Sequence, residues 1–309
     1  MIALPESVAS WGYSAGWTLS RRLPEPWVAS AFDQVGSLAT RRGGGGVLQL
    51  RRNLARAQPD LDADALDELT RQAMSSYLRY WREAFRLPEW SRAEVERRLV
   101  PRHEDRLFDP MSAGQGVVAV LGHFGNWDHA GAWATGRGAS LTTVAERLRP
   151  ESLFDQFVQY RESLGMQVLP LGGGPDITDI LQQRLRSGGL VALLADRDLT
   201  SSGVEVDLLG EPAQMPIGPA LLALRTDSVL LPTVSWYDDD DGGHTHLEFG
   251  EPLTSTASGL RAKLHDLTQQ WANVVGCAAQ MHTRDWHMLQ PIWNADRAEN
   301  AQGDGGAAA

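Results

Sequence analysis

The chain has 309 residues, of which 42% are hydrophobic and 22% charged, enough apolar content to bury one large core. A net charge of −11 argues against a nucleic-acid partner, because duplex binding needs a clustered basic footprint. The single cysteine, Cys277, excludes an intramolecular disulfide framework and a multi-cysteine zinc site. With Lys263 its one lysine, the chain has no phosphate-loop lysine at the required spacing, and the scarcity argues against Schiff-base chemistry.

Residues 1–100 read as a helical part. Trp11, Ala15, Leu19 and Leu23 recur near helical spacing over Ser10–Arg22, and Pro24 and Pro26 stop that helix. Residues 1–58 hold seven arginines against three acids, a net of +4 that leaves −15 for the remainder. A basic, tryptophan-containing end on an acidic body suits an anionic membrane surface, although a solvated helix pair has the same composition. The Gly43–Gly46 run joins two helices. Asp62–Phe85 predicts a long helix with Leu66, Leu69, Met74, Leu78, Trp81 and Phe85 on its apolar side.

From residue 116 the rhythm alternates between strands and helices. Strands are expected at Val117–Leu121, Leu141–Ala145, Met166–Leu169 and Leu190–Ala195, with helices near Asn126–Thr135, Pro150–Leu164 and Pro175–Arg186 between them. A helix over Pro216–Arg225 follows, then a hairpin of Val229–Trp236 with His246–Phe249 over the acidic turn Asp238–Gly243, and a last long helix, Leu260–Val275. The pattern predicts an α/β fold: a central mixed, mostly parallel sheet flanked by helices, with the helical N-terminal part packed on it. Residues 1–300 are read as one domain, with the α/β core over 101–295 and a disordered Ala/Gly tail over 300–309. No stretch approaches the roughly 18 consecutive apolar residues of a spanning helix, and no secretory signal is visible.

In open α/β sheets ligands bind beyond the carboxyl ends of the strands. The first predicted strand runs into Gly122-His123-Phe124-Gly125-Asn126-Trp127-Asp128, the second into Glu146-Arg147, and the fourth into Asp196-Arg197-Asp198. An imidazole and two carboxylates thus converge on one edge. A histidine near neutral pKa can take a proton from an alcohol, while a carboxylate fixes its tautomer and stabilises the imidazolium. Asn126 suits a helix N-cap, Asp128 the first helical turn, and the two glycines would admit another molecule close to the backbone. A strand-end histidine with a purely structural role is the competing reading. Cys277, among small apolar residues, reads as buried packing. His244 and His246 read as a solvated strand, and no metal site is expected.

Several long segments carry a family resemblance. Ser76–Pro88 (SYLRYWREAFRLP), Gly122–Gly131 (GHFGNWDHAG), Thr142–Phe154 (TTVAERLRPESLF), Tyr160–Leu171 (YRESLGMQVLPL), Ala195–Thr200 (ADRDLT), Gly203–Pro216 (GVEVDLLGEPAQMP) and Asp285–Trp293 (DWHMLQPIW) resemble the phosphatidylinositol mannoside acyltransferases of actinobacteria, within the larger group of lipid A acyltransferases. The resemblance implies transfer of a palmitoyl-type chain from acyl-CoA, a co-substrate, to a mannose hydroxyl of a mannosylated phosphatidylinositol, with no further cofactor. It implies a peripheral protein on the cytoplasmic face of the plasma membrane. His123 and Asp128 match the family's His-x4-Asp, with His123 as general base and direct attack on the thioester. Glu146 and Arg161 match residues around that centre, and Arg147 and Arg197 lie beside the same strand ends. Similar proteins carry Glu where this chain has Asp196, so the shorter side chain is expected to need a backbone shift to reach His123. Phe124 stands where Ser is usual, which would make the mouth of the site more apolar. A related acyltransferase on another lipid hydroxyl, a thioesterase and a non-catalytic lipid-binding protein are the alternatives.

Overall fold

The computed structural model describes residues 17, 21–147, 150–171, 177–199, 202–240 and 242–298. Most of the helix expected over Ser10–Arg22, the glycines 172–174 and the 300–309 tail lie outside them. The N-terminal part is helical, as expected: α1 (Glu25–Arg42), α2 (Gly45–Ala57) and α3 (Ala63–Arg86). Gly43 ends α1 in the left-handed region at φ 59°, a conformation that costs glycine little. Asp62 opens α3 by accepting the Ala65 amide at 2.8 Å. Leu66, Ala73 and Met74 of α3 then bury against Leu50 and Leu54 of α2. Two short helices follow, α4 (Arg92–Arg97) and α5 (Asp105–Ser112), with an unpredicted strand, β1 (Leu99–Arg102), between them.

The body is a seven-stranded sheet. Its members after β1 are β2 (Val117–Leu121), β3 (Leu141–Glu146), β4 (Gln167–Leu171), β5 (Leu190–Leu194), β8 (Val229–Asp238) and β9 (His244–Phe249). The spatial order is β1-β9-β8-β2-β5-β3-β4, and only the β8–β9 pair is antiparallel. β2 is buried along its whole length, which is why it reads as an unbroken apolar run. A separate two-stranded sheet, β6 (Val204–Leu208) with β7 (Glu211–Met215), was not expected. Its reversal places Leu209 and Gly210 at φ 57° and 84°, and a leucine at such a position gives no turn signal.

Helices α6 (Trp127–Gly136), α7 (Glu151–Ser163), α8 (Ile177–Arg186), α9 (Gly218–Thr226) and α10 (Leu260–Met281) complete the fold. Alternation along the strands splits the core in two. Val118, Val120, Val191 and Leu230 face α8, α9 and α10, whereas Val117, Ala119, Leu121 and Leu231 face α5 and α6. Two surface readings are corrected here. Cys277 is exposed, because α10 turns Val275, Gly276, Ala278 and Ala279 inward and leaves the thiol outside. His246 is buried, its ring stacked on Trp236 at 5.3 Å, rather than solvated.

Candidate active site

β2 and β5 are adjacent and parallel, so the segments that follow them emerge side by side. Ala195 continues the pairing by donating its amide to Leu121 O at 2.8 Å. That register sets Asp196 against His123. One carboxylate oxygen lies 2.6 Å from His123 Nδ1, and the other accepts the His123 amide at 2.7 Å and the Trp286 indole N–H at 3.4 Å. Asp196 is wholly buried, while His123 keeps about a fifth of its side chain exposed. Burial pushes the Asp196 carboxyl upward, but the His123 charge and these hydrogen bonds outweigh it and hold the group below its usual range. No backbone shift is needed for the shorter side chain. A carboxylate beside Nδ1 favours the tautomer that carries its proton there, with Nε2 as the acceptor nitrogen.

The glycines before and after His123 admit the protein's own groups. A Cβ on Gly122 would sit 2.7 Å from the Phe124 ring and 3.1 Å from Asp196. Gly125, at φ 52°, would meet the Ser235 carbonyl at 2.8 Å. Phe124 is not at the mouth of the site. It is buried and stacked on Trp286 at 5.8 Å with 13° between the rings.

Asp128 belongs to a different pair. Asn126 caps α6 by accepting the His129 amide at 2.9 Å, and its own amide donates to Glu83 at 2.9 Å. This puts Asp128 in the first turn, where one oxygen accepts from Arg161 Nε and the other from Tyr80 OH, both at 2.8 Å. His123 and Asp128 share no hydrogen bond. Their common neighbour is Trp127, whose ring meets His123 edge to face at 5.3 Å and lies 4.1 Å from Tyr80. Glu146 pairs with Arg197 at 2.8 Å, on the rim of an apolar groove between α8 and α9. Arg147 pairs with Glu151, at 2.7 Å on the surface.

Beside the His123 cluster, on the α6 face of the sheet, lies a narrow apolar cleft. Leu121, Ala192, Leu194 and Phe249 line its floor, and Trp127, Asp128 and Arg161 its polar end. Among the described residues no group of three or more His, Cys, Asp or Glu side chains is set to hold a metal ion.

Sequence reasoning passed over three groups that complete this neighbourhood. Residues 285–287 return alongside 123–125: His287 donates its amide to His123 O at 2.7 Å, Gly125 donates to Asp285 O at 2.9 Å, and Phe124 and Trp286 form the bridge between them. Ser76, from α3, donates to Asp285 Oδ1 at 2.6 Å and lies 2.9 Å from His287 Nε2. Tyr80 supplies the Asp128 bond above. The available signal was a set of polar residues inside the tryptophan-rich stretch after the last helix.

A carboxylate-supported histidine at the strand ends of an α/β sheet, beside an apolar cleft, is an arrangement suited to general-base chemistry on an apolar substrate. The chain belongs to the bacterial lipid A biosynthesis acyltransferase family, whose profile matches residues 2–295. It is 43% identical over 302 residues to the phosphatidylinositol mannoside acyltransferase of Mycobacterium tuberculosis, covering 96% of this chain and 92% of that one. It is also 43% identical over 300 residues to the enzyme of the same name from Mycolicibacterium smegmatis, covering 96% of this chain and 95% of that one.

Proposed function

We propose that this acyltransferase moves a palmitoyl-type chain from acyl-CoA to a mannose hydroxyl of a mannosylated phosphatidylinositol. The observation that carries the reading is the His123–Asp196 contact at 2.6 Å beside an apolar cleft. In the reaction, His123 Nε2 takes the proton of the sugar hydroxyl as its oxygen attacks the thioester carbonyl carbon. Asp196 holds the Nδ1 proton and stabilises the imidazolium. Collapse of the tetrahedral adduct breaks the C–S bond. The imidazolium returns its proton to the departing sulfur, leaving an ester and free thiol. The chain lies in the apolar cleft, and the Arg161 guanidinium, held by Asp128, faces charge developing at the polar end.

The acceptor is a lipid, and the outer face of α1 supports work at an anionic membrane surface. Trp27, Val35 and Leu38 are 70%, 57% and 47% exposed, at helical spacing along one stripe, with Arg41 and Arg42 at its end. No helix among the described residues is long and apolar enough to cross a membrane.

The test is incubation of palmitoyl-CoA and mannosylated phosphatidylinositol with wild type and with His123→Ala. Acylated glycolipid that disappears in a folded His123→Ala variant is the expected result. Free palmitate without acylated lipid would mean a thioesterase. Tight acyl-CoA binding by both proteins without turnover would mean a lipid-binding protein or another acceptor.

A further inference from the structure

We propose that His287 is a second imidazole of the site, a hydrogen-bond acceptor that positions the sugar by a hydroxyl other than the one acylated. This rests on the acyl-transfer reading above. Residues 123 and 287 face each other across the short antiparallel pairing, one step from the Phe124–Trp286 bridge. Phe124 and Trp286 stack on one side, so His123 and His287 project together on the other, with Cβ atoms roughly 5 Å apart. Both rings touch the same indole: Trp127 lies 5.3 Å from His123 and 6.2 Å from His287.

The hydrogen bonds of His287 assign its proton. Ser76 spends its one hydroxyl proton on Asp285, at 2.6 Å, so at 2.9 Å it can only accept from His287 Nε2–H. Nδ1 is left as a bare acceptor. It is buried and has no partner, in a residue only 4% exposed. Burial and the nearby His123 charge keep the ring neutral, lowering its pKa to about 3. A second orphan accompanies it: the Trp127 Nε1–H is also buried with no partner, and this ring lines the cleft. Unsatisfied buried groups are costly and uncommon. An acceptor and a donor next to a catalytic base are complementary to a hydroxyl, which donates once and accepts. A ligand with several hydroxyls on one ring offers one group to His123 and a neighbouring one to this pair.

The experiment uses the full chain, palmitoyl-CoA and mannosylated phosphatidylinositol, with analogues in which each sugar hydroxyl other than the acylated one is replaced by hydrogen in turn. Wild type should lose roughly 10- to 100-fold in kcat/KM on one analogue, the size expected for a buried hydrogen bond with one partner removed. His287→Phe should lose that factor on the parent sugar and nothing further on that analogue. His287→Asn, which keeps an acceptor near the Nδ1 position, should recover most of it. An equal His287→Phe penalty on the parent and on every analogue would overturn the proposal, as would an unchanged kcat/KM on the parent. If wild type acylates no sugar, the acyl-transfer reading fails, and imidazole nitrogen NMR decides the proposal separately. Adding the mannosyl headgroup must move the His287 Nδ1 resonance of wild type, and an unmoved resonance overturns it.

Discussion

Asp196 does its work from a fully buried position, so its replacement separates charge from shape. Asp196→Asn keeps the volume but withdraws the charge that favours the imidazolium, and kcat should fall between roughly 100- and 10,000-fold with little change in acyl-CoA affinity. Equal losses in both would indicate a folding role, and paired steady-state kinetics and acyl-CoA titration tell the two apart. Asp128 acts differently, because its partners are Arg161 and Tyr80. Asp128→Ala would leave the Arg161 guanidinium without its carboxylate, and unfolding should become easier by about 3–5 kcal/mol in denaturant titration. The family resemblance groups Asp128 with the histidine five residues before it, in a His-x4-Asp. Its actual partner Tyr80 is 48 residues away on another helix, and no local spacing encodes that pairing. His123 and Asp196 were legible for the opposite reason: each follows an apolar run that could only be a buried strand.

At the level of elements, the strand ends are built to a tolerance that glycine sets. Gly122→Ala would push a methyl into the Phe124 ring and toward Asp196, so it should lower kcat sharply. Activity and thermal melting measured on the same preparation show whether the site or the whole fold has yielded. The principal strands and helices after residue 116 were readable from periodicity. The β6–β7 hairpin was not, because Leu209 occupies a left-handed turn position and Pro212 sits within a strand. The 285–287 segment escaped as well. It is too short for a periodic pattern, and its pairing partner lies at residues 123–125.

Considered as a whole, the molecule should lose stability in acid, and His287 contributes to that loss alongside His129 and His282, whose pKa values burial also lowers. His287 has its pKa lowered from 6.5 to about 3 by burial, so the unfolded chain binds the extra proton in that window. Stability is therefore fully present above about pH 6.5 and falls as pH drops toward 3, by up to about 1.4 kcal/mol per pH unit from this residue. His287→Phe should flatten the slope, as read by denaturant unfolding across that range. The α1 stripe makes a separate test at this scale. Trp27→Ala combined with Leu38→Ala should weaken co-sedimentation with anionic vesicles without altering the fold, and binding by wild type should fall as salt rises. Binding indifferent to both changes would place the lipid contact elsewhere.

The pairing of residues 285–287 with 123–125 also bears on when the enzyme becomes competent. His123 comes early in the α/β core and its carboxylate partner 73 residues later, yet the indole donor to that carboxylate arrives only with Trp286. A chain emerging from the ribosome would carry both members of the dyad long before the strap that braces them. A protein clipped after α10 would retain the sheet and the histidine with the brace gone. The indole that braces Asp196 is thus supplied only by residues beyond α10, and a chain cut there would hold the His123–Asp196 pair without that donor.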